Sequence, residues 1–342
     1  MINVGFFPAH PAQFWMMKVL SENAPNEVIV HWFIRDKDIT LDLLKKFNMP
    51  YTLVSSAKAG ILRNGLEMLS NIPKFLFLTK KHKIDIWYSK YGAVNIAAAI
   101  LRIKNFSFND DDIDVVPLIA YSSYPFASKI FATNWTRMGK FEDCTIRYPS
   151  FHELYYLHPN YFKKNKLKAF NTLSIADNKP YILIRLSALE AHHDISAQGV
   201  SKQLLRNIIN KLDTNFHVFI SSEKPLDDEF SSFKLNACAS EMHNILACSK
   251  FLIADSQTMI AEAAVLGVPS LRVSSFKGKL GYIEELERRG LCWSEFPENE
   301  NNVLNRVIEF TSHQRNLIDT KHQKLLEETI DPIPFIWKNI LQ

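Results

Sequence analysis

Glycine is scarce, at 10 in 342 residues, and neither G-x-G-x-x-G nor G-x-x-x-x-G-K-[ST] occurs anywhere in the chain. The usual glycine-rich cradles for dinucleotides and for P-loop phosphates are therefore excluded. The four cysteines, Cys144, Cys238, Cys248 and Cys292, lie far apart and form no C-x-x-C pair. A structural zinc or a redox dithiol is not expected, and four reduced thiols fit the cytoplasm. No run of about 18 apolar residues is present, so no membrane-spanning helix is expected. The opening Met-Ile-Asn-Val-Gly-Phe-Phe has no basic segment ahead of its apolar run and does not read as a signal peptide. A dominant charge is missing too, since 40 Lys plus Arg against 36 Asp plus Glu leave a net +4. That balance is too mild for a basic nucleic-acid stripe, and no nucleic-acid partner is expected.

What remains is ordinary for a folded protein, with 47% hydrophobic and 22% charged residues. A single core rarely grows beyond about 250–300 residues, so this length implies two domains. Short apolar runs at 2–7, 27–34, 84–88, 106–108 and 129–132 read as strands. Amphipathic stretches at 13–22, 39–47, 61–80, 94–102 and 115–127 read as helices between them. This alternation predicts a parallel sheet covered on both faces. A polar, lysine-studded stretch at 163–177 reads as a linker between a first domain, 1–162, and a second, 178–329. In the second half, strands are expected at 181–186, 216–221, 251–254 and 270–273, with helices at 201–212 and 258–266. The last amphipathic segment, within 330–342, is expected to pack back on the first domain. The expected fold class is α/β, with two Rossmann-like domains whose parallel sheets face a central cleft, and ligands of such sheets bind at the strands' carboxyl ends.

The sharpest local signal is the strand–turn–helix run Phe251-Leu-Ile-Ala-Asp255-Ser256-Gln257-Thr258, continuing through Glu262 to Leu266-Gly267-Val-Pro269. Ser256, Gln257 and Thr258 stand where a helix begins, and the free N–H groups of a first turn hold anions. Glu262, about a turn further in, can accept two hydrogen bonds from a ribose diol while the helix end holds a diphosphate. The plainer reading, in which Ser256 only caps the helix and Glu262 is solvated, has even standing on spacing alone.

That run resembles the donor-nucleotide signature of GT-B glycosyltransferases and of the non-hydrolysing UDP-N-acetylglucosamine 2-epimerases. Gln257 and Thr258 stand where those epimerases carry a pair of glycines. More of the chain resembles a GT-B-like family of archaeal and bacterial proteins related to both. The resemblance runs through Phe7-Pro-Ala-His10-Pro11-Ala, Asp36-Lys-Asp-Ile-Thr40 and Phe108-Asn-Asp110-Asp111-Asp112. It continues through Glu153-Leu-Tyr-Tyr-Leu157-His158-Pro159, His192-His193-Asp194 and Gly278-Lys279-Leu-Gly-Tyr282-Ile-Glu284-Glu285, and so covers about residues 1–290 in order. It implies a GT-B-like fold and a nucleotide-sugar substrate, with no resident cofactor.

Other residues fill in a mechanism. Arg185, closing the first strand of the second half, is expected to face the diphosphate, against the plainer reading of a surface ion pair. In the similar epimerases a His-Arg pair holds this strand end, where here Ile184 precedes the arginine. His192 and His193 are expected to make polar contacts to sugar or diphosphate. No third ligand stands at a telling spacing, so no metal is expected there. In inverting GT-B enzymes the base comes from the N-terminal half, which makes His10 the first candidate. Asp110, Asp111 and Asp112 are its rivals, although three adjacent acids more often form a solvated turn or a cap. Related epimerases carry a His-Gly-Asp-Thr-like turn after the strand that here ends Ile86-Trp-Tyr-Ser89-Lys90, and the acid of that turn is missing. The sequence therefore reads as a glycosyltransferase acting on a hydroxyl of a surface polysaccharide or lipid-linked acceptor. A 2-epimerase and a non-catalytic nucleotide- or glycan-binding scaffold are the alternatives. Helix 61–80, with Phe75-Leu-Phe-Leu78 before Lys80, Lys81 and Lys83, reads first as a core helix with a basic end and second as a contact with the inner membrane surface.

Overall fold

The structure, a computed structural model, describes residues 1–9, 11–36, 40–56, 61–177, 179–187, 199–212, 215–312 and 315–342. His10, His192 and His193 lie outside the described residues. The chain divides into two compact units, Met1–Tyr156 with Ile330–Gln342, and Leu157–Thr329.

The first unit is built on seven parallel strands. They are β1 (Ile2–Phe6), β2 (Val28–Asp36), β3 (Thr52–Ser56), β4 (Ile86–Tyr88), β5 (Lys104–Asn109), β6 (Lys129–Thr133) and β7 (Thr145–Tyr148). Their order across the sheet is β3-β2-β1-β4-β5-β6-β7. The inner strands are short apolar runs because helices cover both faces and both sets of side chains are buried. Trp87 on β4 is fully buried, with ring centroids 4.9 Å from Phe33 and 5.6 Å from Phe75. Its indole lies flat against the backbone of Gly5, where a Cβ would come within 2.6 Å of the ring. Glycine is needed there for close approach, since any side chain would displace the tryptophan.

Helix Ile61–Lys81 packs on one face of this sheet beside helix Gly92–Leu101. Phe75 and Leu78 are buried, as a core helix requires, whereas Leu66, Leu69 and Phe77 are exposed. Lys80 and Lys81 stand in its last turn, where the helix dipole favours positive charge. The terminal helix Pro332–Leu341 begins at an Asp331 cap that accepts from Ile333 N at 3.0 Å. It returns to the first sheet, where Trp337 donates to the Leu20 carbonyl at 2.9 Å and stacks on Phe6 at 6.1 Å.

The second unit has five parallel strands, β8 (Tyr181–Leu186), β9 (His217–Ser222), β10 (Leu252–Ala254), β11 (Ser270–Val273) and β12 (Cys292–Glu295), in the order β12-β11-β10-β8-β9. The stretch 163–177, expected as a linker, falls inside this unit and contains helix Lys166–Thr172. Asn165 caps that helix and exchanges two hydrogen bonds with Asn244, Asn165 N to Oδ1 at 2.7 Å and Nδ2 to Asn165 O at 3.0 Å. The lysines lie on the helix's solvated side, which is why the composition resembles a linker.

Both strand orders reverse direction once. The switch falls between β1 and β4 in the first unit and between β8 and β10 in the second. The crevice at the carboxyl ends of such a pair is where open α/β sheets bind ligands.

Candidate functional site

In the second unit the switch point is closed by a carboxylate. Asp255, directly after β10, accepts a hydrogen bond from Ser187 N, directly after β8, at 2.7 Å. On its other side a Cβ at Gly199 would come within 2.6 Å of Oδ2, so only glycine allows the approach. Asp255 thus touches the described residues on both sides of 188–198, the segment that carries His192 and His193. Burial pushes its carboxyl up, and the Ser187 hydrogen bond and the Arg185 charge oppose that shift. Asp255 was visible in the motif, but nothing in the sequence marks it as the residue joining the two strand ends.

Ser256 follows with extended backbone as the N-cap of helix Gln257–Val265, its Oγ accepting from Met259 N at 3.5 Å. Gln257 and Thr258 form the first turn, whose N–H groups have no acceptor within the helix. Glu262 is four residues after Thr258 and so shares its face. Its carboxylate is buried, with a relative exposure of 6%, and Oε1 stands 3.2 Å from His243 Nε2. The solvated reading of Glu262 is therefore overturned, because the small side chains around it sink this face of the helix into the unit. His243, on helix Met242–Cys248, was not singled out from sequence, since its partner is 19 residues away.

Arg185 departs from expectation. It lies on β8 between Ala254 of β10 and Ser221 of β9 in register. Its guanidinium turns to β9, donating to Ser221 Oγ at 2.8 Å and pairing with Glu223. A cation at this strand end finds a carboxylate one strand away, and the ion-pair reading is the one the geometry supports.

The first unit repeats the strand-end arrangement with different chemistry. Ser89, after β4, donates to the Phe7 carbonyl, after β1, at 2.9 Å. Lys90 follows, nearly buried, with Nζ 2.9 Å from Asp110 Oδ1 and 3.7 Å from Asp111 Oδ2. Burial works to raise the Asp110 carboxyl, but Lys90, helped by His152, outweighs it and holds the group below the usual carboxylate range. Burial likewise opposes the charge on Lys90, and its acids overcome that and raise it above the usual lysine range. A carboxylate so stabilised as an anion is a weak proton acceptor.

Asp112 is fully buried and cannot meet a substrate. It accepts from Arg137 N at 2.6 Å and pairs with Arg137 Nη2 at 2.6 Å, tying the turn after β5 to the one after β6. Of the three acids read as rival bases, Asp112 is structural, and Asp110 and Asp111 both face Lys90. Behind them lies His152, stacked on Phe108 at 5.6 Å, its imidazole kept neutral-leaning by burial. Lys90 was visible in the sequence only as a departure from the acid-bearing turn of the similar epimerases, and His152 escaped because the ring it stacks on stands on a distant strand.

Among the described residues no group of three or more His, Cys, Asp and Glu is placed to hold a metal ion. Among them also, no helix is long and apolar enough to cross a membrane.

No protein-family model and no curated protein matches the chain in sequence. Solved structures do match in three dimensions. The UDP-GlcNAc 2-epimerase of Neisseria meningitidis, bound to UDP-GlcNAc, gives a TM-score of 0.68 at 12% identity, over 100% of this chain and 99% of that one. MurG of Acinetobacter baumannii gives 0.59 at 14% identity, over 100% and 99%. The spinosyn forosaminyltransferase SpnP gives 0.64 at 14% identity, over 100% of both chains. At such identities the likeness establishes architecture, and the chain has the GT-B-like fold of two Rossmann-like α/β units that these epimerases and glycosyltransferases share.

Proposed function

We propose that this protein is a glycosyltransferase that moves a sugar from a nucleotide-sugar donor to a hydroxyl acceptor in surface-polysaccharide or glycolipid synthesis. The observation that carries the reading is helix Gln257–Val265, where a serine-capped N-terminus and a buried carboxylate share one face. The first turn takes the diphosphate, through its N–H groups and the positive end of the helix dipole. Glu262, about one 5.4 Å turn deeper, takes the ribose diol, and His243 holds its carboxylate in place. Arg185 is left out of the contact set because Glu223 and Ser221 already engage it.

In the reaction the acceptor oxygen forms a bond to the anomeric carbon of the donor sugar. The bond from that carbon to the diphosphate oxygen breaks, and the nucleoside diphosphate leaves with the electron pair. The acceptor's proton goes to a base, for which His10 is the first candidate and Asp111 the remaining rival, since Asp110 is held as a stabilised anion by Lys90 and Asp112 is sealed in. Transfer is favoured over 2-epimerisation by Lys90. Epimerisation needs a base to remove a carbon-bound proton, and here a buried cation follows β4.

The test is a thermal-shift panel of nucleoside diphosphates and UDP-, GDP- and CMP-sugars. A ligand bound only by the folded state raises the melting temperature, and a selective rise with one nucleotide is expected. The nucleotide-sugar is then incubated in deuterated water without acceptor. Retention of the proton at C2 supports transfer, and exchange at C2 returns the epimerase. No shift with any nucleotide at millimolar concentration overturns the reading in favour of a scaffold.

A further inference from the structure

The stretch 154–176 holds four lysines and no aspartate, glutamate or arginine. The four, Lys163, Lys164, Lys166 and Lys168, fall within six positions, and all are exposed. In their midst stands Leu167, which at 79% is the most exposed large apolar side chain among the described residues. The nucleotide-sugar reading makes no use of this surface. The fold presents it outward. Helix Lys166–Thr172 buries Ala169 and is held beside helix Met242–Cys248 by the two hydrogen bonds between Asn165 and Asn244. Leu167, two residues before Ala169, lies about 200° around the helix from it, and so faces away from the unit. Lys168 pairs with Glu241 at 2.7 Å, and Lys166 Nζ lies 5.0 Å from the centre of the Phe170 ring. Among the described residues no ion pair engages Lys163, Lys164 or Lys166.

A single exposed leucine needs no explanation. A leucine set among four lysines, with no acid in the segment, suits a partner that is anionic at its surface and apolar just beneath. Nucleic acid supplies the phosphates but gives an aliphatic side chain nothing to bury against. Its phosphates are also best matched by the forked guanidinium of arginine, which this segment lacks. An anionic bilayer supplies both parts. Lysine stems lie along apolar surface while their ammonium groups stay at the level of the headgroups, and a leucine between them reaches the acyl boundary.

We propose that this surface docks the second unit on an anionic lipid bilayer, with Leu167 entering the headgroup–acyl boundary and Lys163, Lys164 and Lys166 meeting lipid phosphates. The docking goes beyond the transferase reading and does not depend on it. Helix Ile61–Lys81, whose basic end the sequence also offers to a membrane, is the rival site.

Co-sedimentation of the full chain with vesicles of phosphatidylcholine, alone or with about 30 mol% phosphatidylglycerol, tests this. Binding is expected on the mixed vesicles only, and is expected to fade as salt rises from about 0.05 to 0.5 M and screens the lysines. Replacing Lys163, Lys164 and Lys166 together by glutamine is expected to weaken it about 100-fold, at about fivefold per lysine. Leu167→Ser is expected to weaken it about tenfold at every salt concentration, because its share is apolar. All four positions are exposed, so the variants keep the fold. No binding to the mixed vesicles, binding unaltered by the lysine replacements, or a Leu167→Ser variant equal to the parent overturns the proposal. Binding lost with Phe77→Ser, Lys80→Gln and Lys81→Gln combined, and kept by the triple-lysine variant, moves the contact to helix Ile61–Lys81 and overturns it as well. Duplex DNA bound more tightly than the mixed vesicles at the same salt makes the partner a nucleic acid instead. Nucleoside diphosphate binding is measured in parallel. Nucleotide binding without vesicle binding sinks this inference alone, and vesicle binding without nucleotide binding sinks the transferase reading alone.

Discussion

A carboxylate inside an apolar helix is costly unless it is paired, and Glu262 is paired with His243. On the proposed reading, replacing it by alanine would remove the acceptor for a ribose diol and leave the helix N-terminus for the diphosphate. Glu262→Ala is expected to weaken nucleoside diphosphate binding by roughly 1–3 kcal/mol, or about 5- to 150-fold in Kd, measured by calorimetry. Glu262→Gln, which keeps the shape and one acceptor, is expected to lose less. In the first unit the Lys90–Asp110 pair makes a different statement. Lys90 is nearly buried while Asp110 is about a third exposed, so removing the carboxylate leaves the lysine short of a partner. Asp110→Asn is expected to cost about 1–2 kcal/mol at neutral pH, because water and Asp111 remain near Lys90. The sign with pH follows from the lowered carboxyl. Its stabilisation is complete above the ordinary value of 3.8 and is lost as pH falls below it. Urea melts at pH 7 and pH 3 are therefore expected to show a smaller acid loss in Asp110→Asn than in the parent. The Ser256 cap was legible in the sequence because a cap is a local event. The Lys90–Asp110 and Arg185–Glu223 pairs were not, because their members stand on different strands.

At the scale of elements, the apolar runs that became inner strands were readable, since burial on both faces demands them. The strands that escaped, β3, β7 and β12, are edge strands. An edge strand is partly solvated and mixes polar with apolar residues, as in Thr52-Leu-Val-Ser-Ser of β3, so its pattern approaches that of a loop. The expected helix at 115–127 is instead helix Pro117–Ser123 followed by a 3₁₀ turn, Tyr124–Phe126, broken where Pro125 cannot donate its N–H. Inner strands also pack against one another without slack. Gly5→Ala would put a methyl within 2.6 Å of the Trp87 ring, and overpacking of this kind costs about 1–3 kcal/mol. A fall in melting temperature with unchanged nucleotide binding is the expected outcome, because Gly5 and the candidate nucleotide site belong to different units.

On the scale of the whole molecule, the last thirteen residues belong with the first unit and the rest of the chain's second half does not. Trp337 and Ile340 are buried there, and Ser150 Oγ donates to the Ile330 carbonyl at 2.8 Å. Deletion of residues 330–342 exposes Phe6 and Tyr148, which the terminal helix covers through Trp337 and Phe335. Calorimetry of the truncated chain is expected to show one transition moved to lower temperature and a second, carrying nucleotide-induced stabilisation, unmoved. A uniform shift of all unfolding would mean that the terminal helix does not act through the first unit.

The order of apolar runs and amphipathic stretches, read alone, determined the α/β class, and the turn before Gln257 determined where one helix begins. Both depend on neighbours within a few residues, which a sequence displays directly. The tertiary structure alone decided which charges meet. Parallel strands bring residues such as 90 and 110, and 185 and 223, to one sheet end, and their partnership depends on strand order rather than on spacing along the chain. Arg185 became a paired cation and Glu262 a buried, paired carboxylate, because burial and sheet register choose the partners that local sequence leaves open.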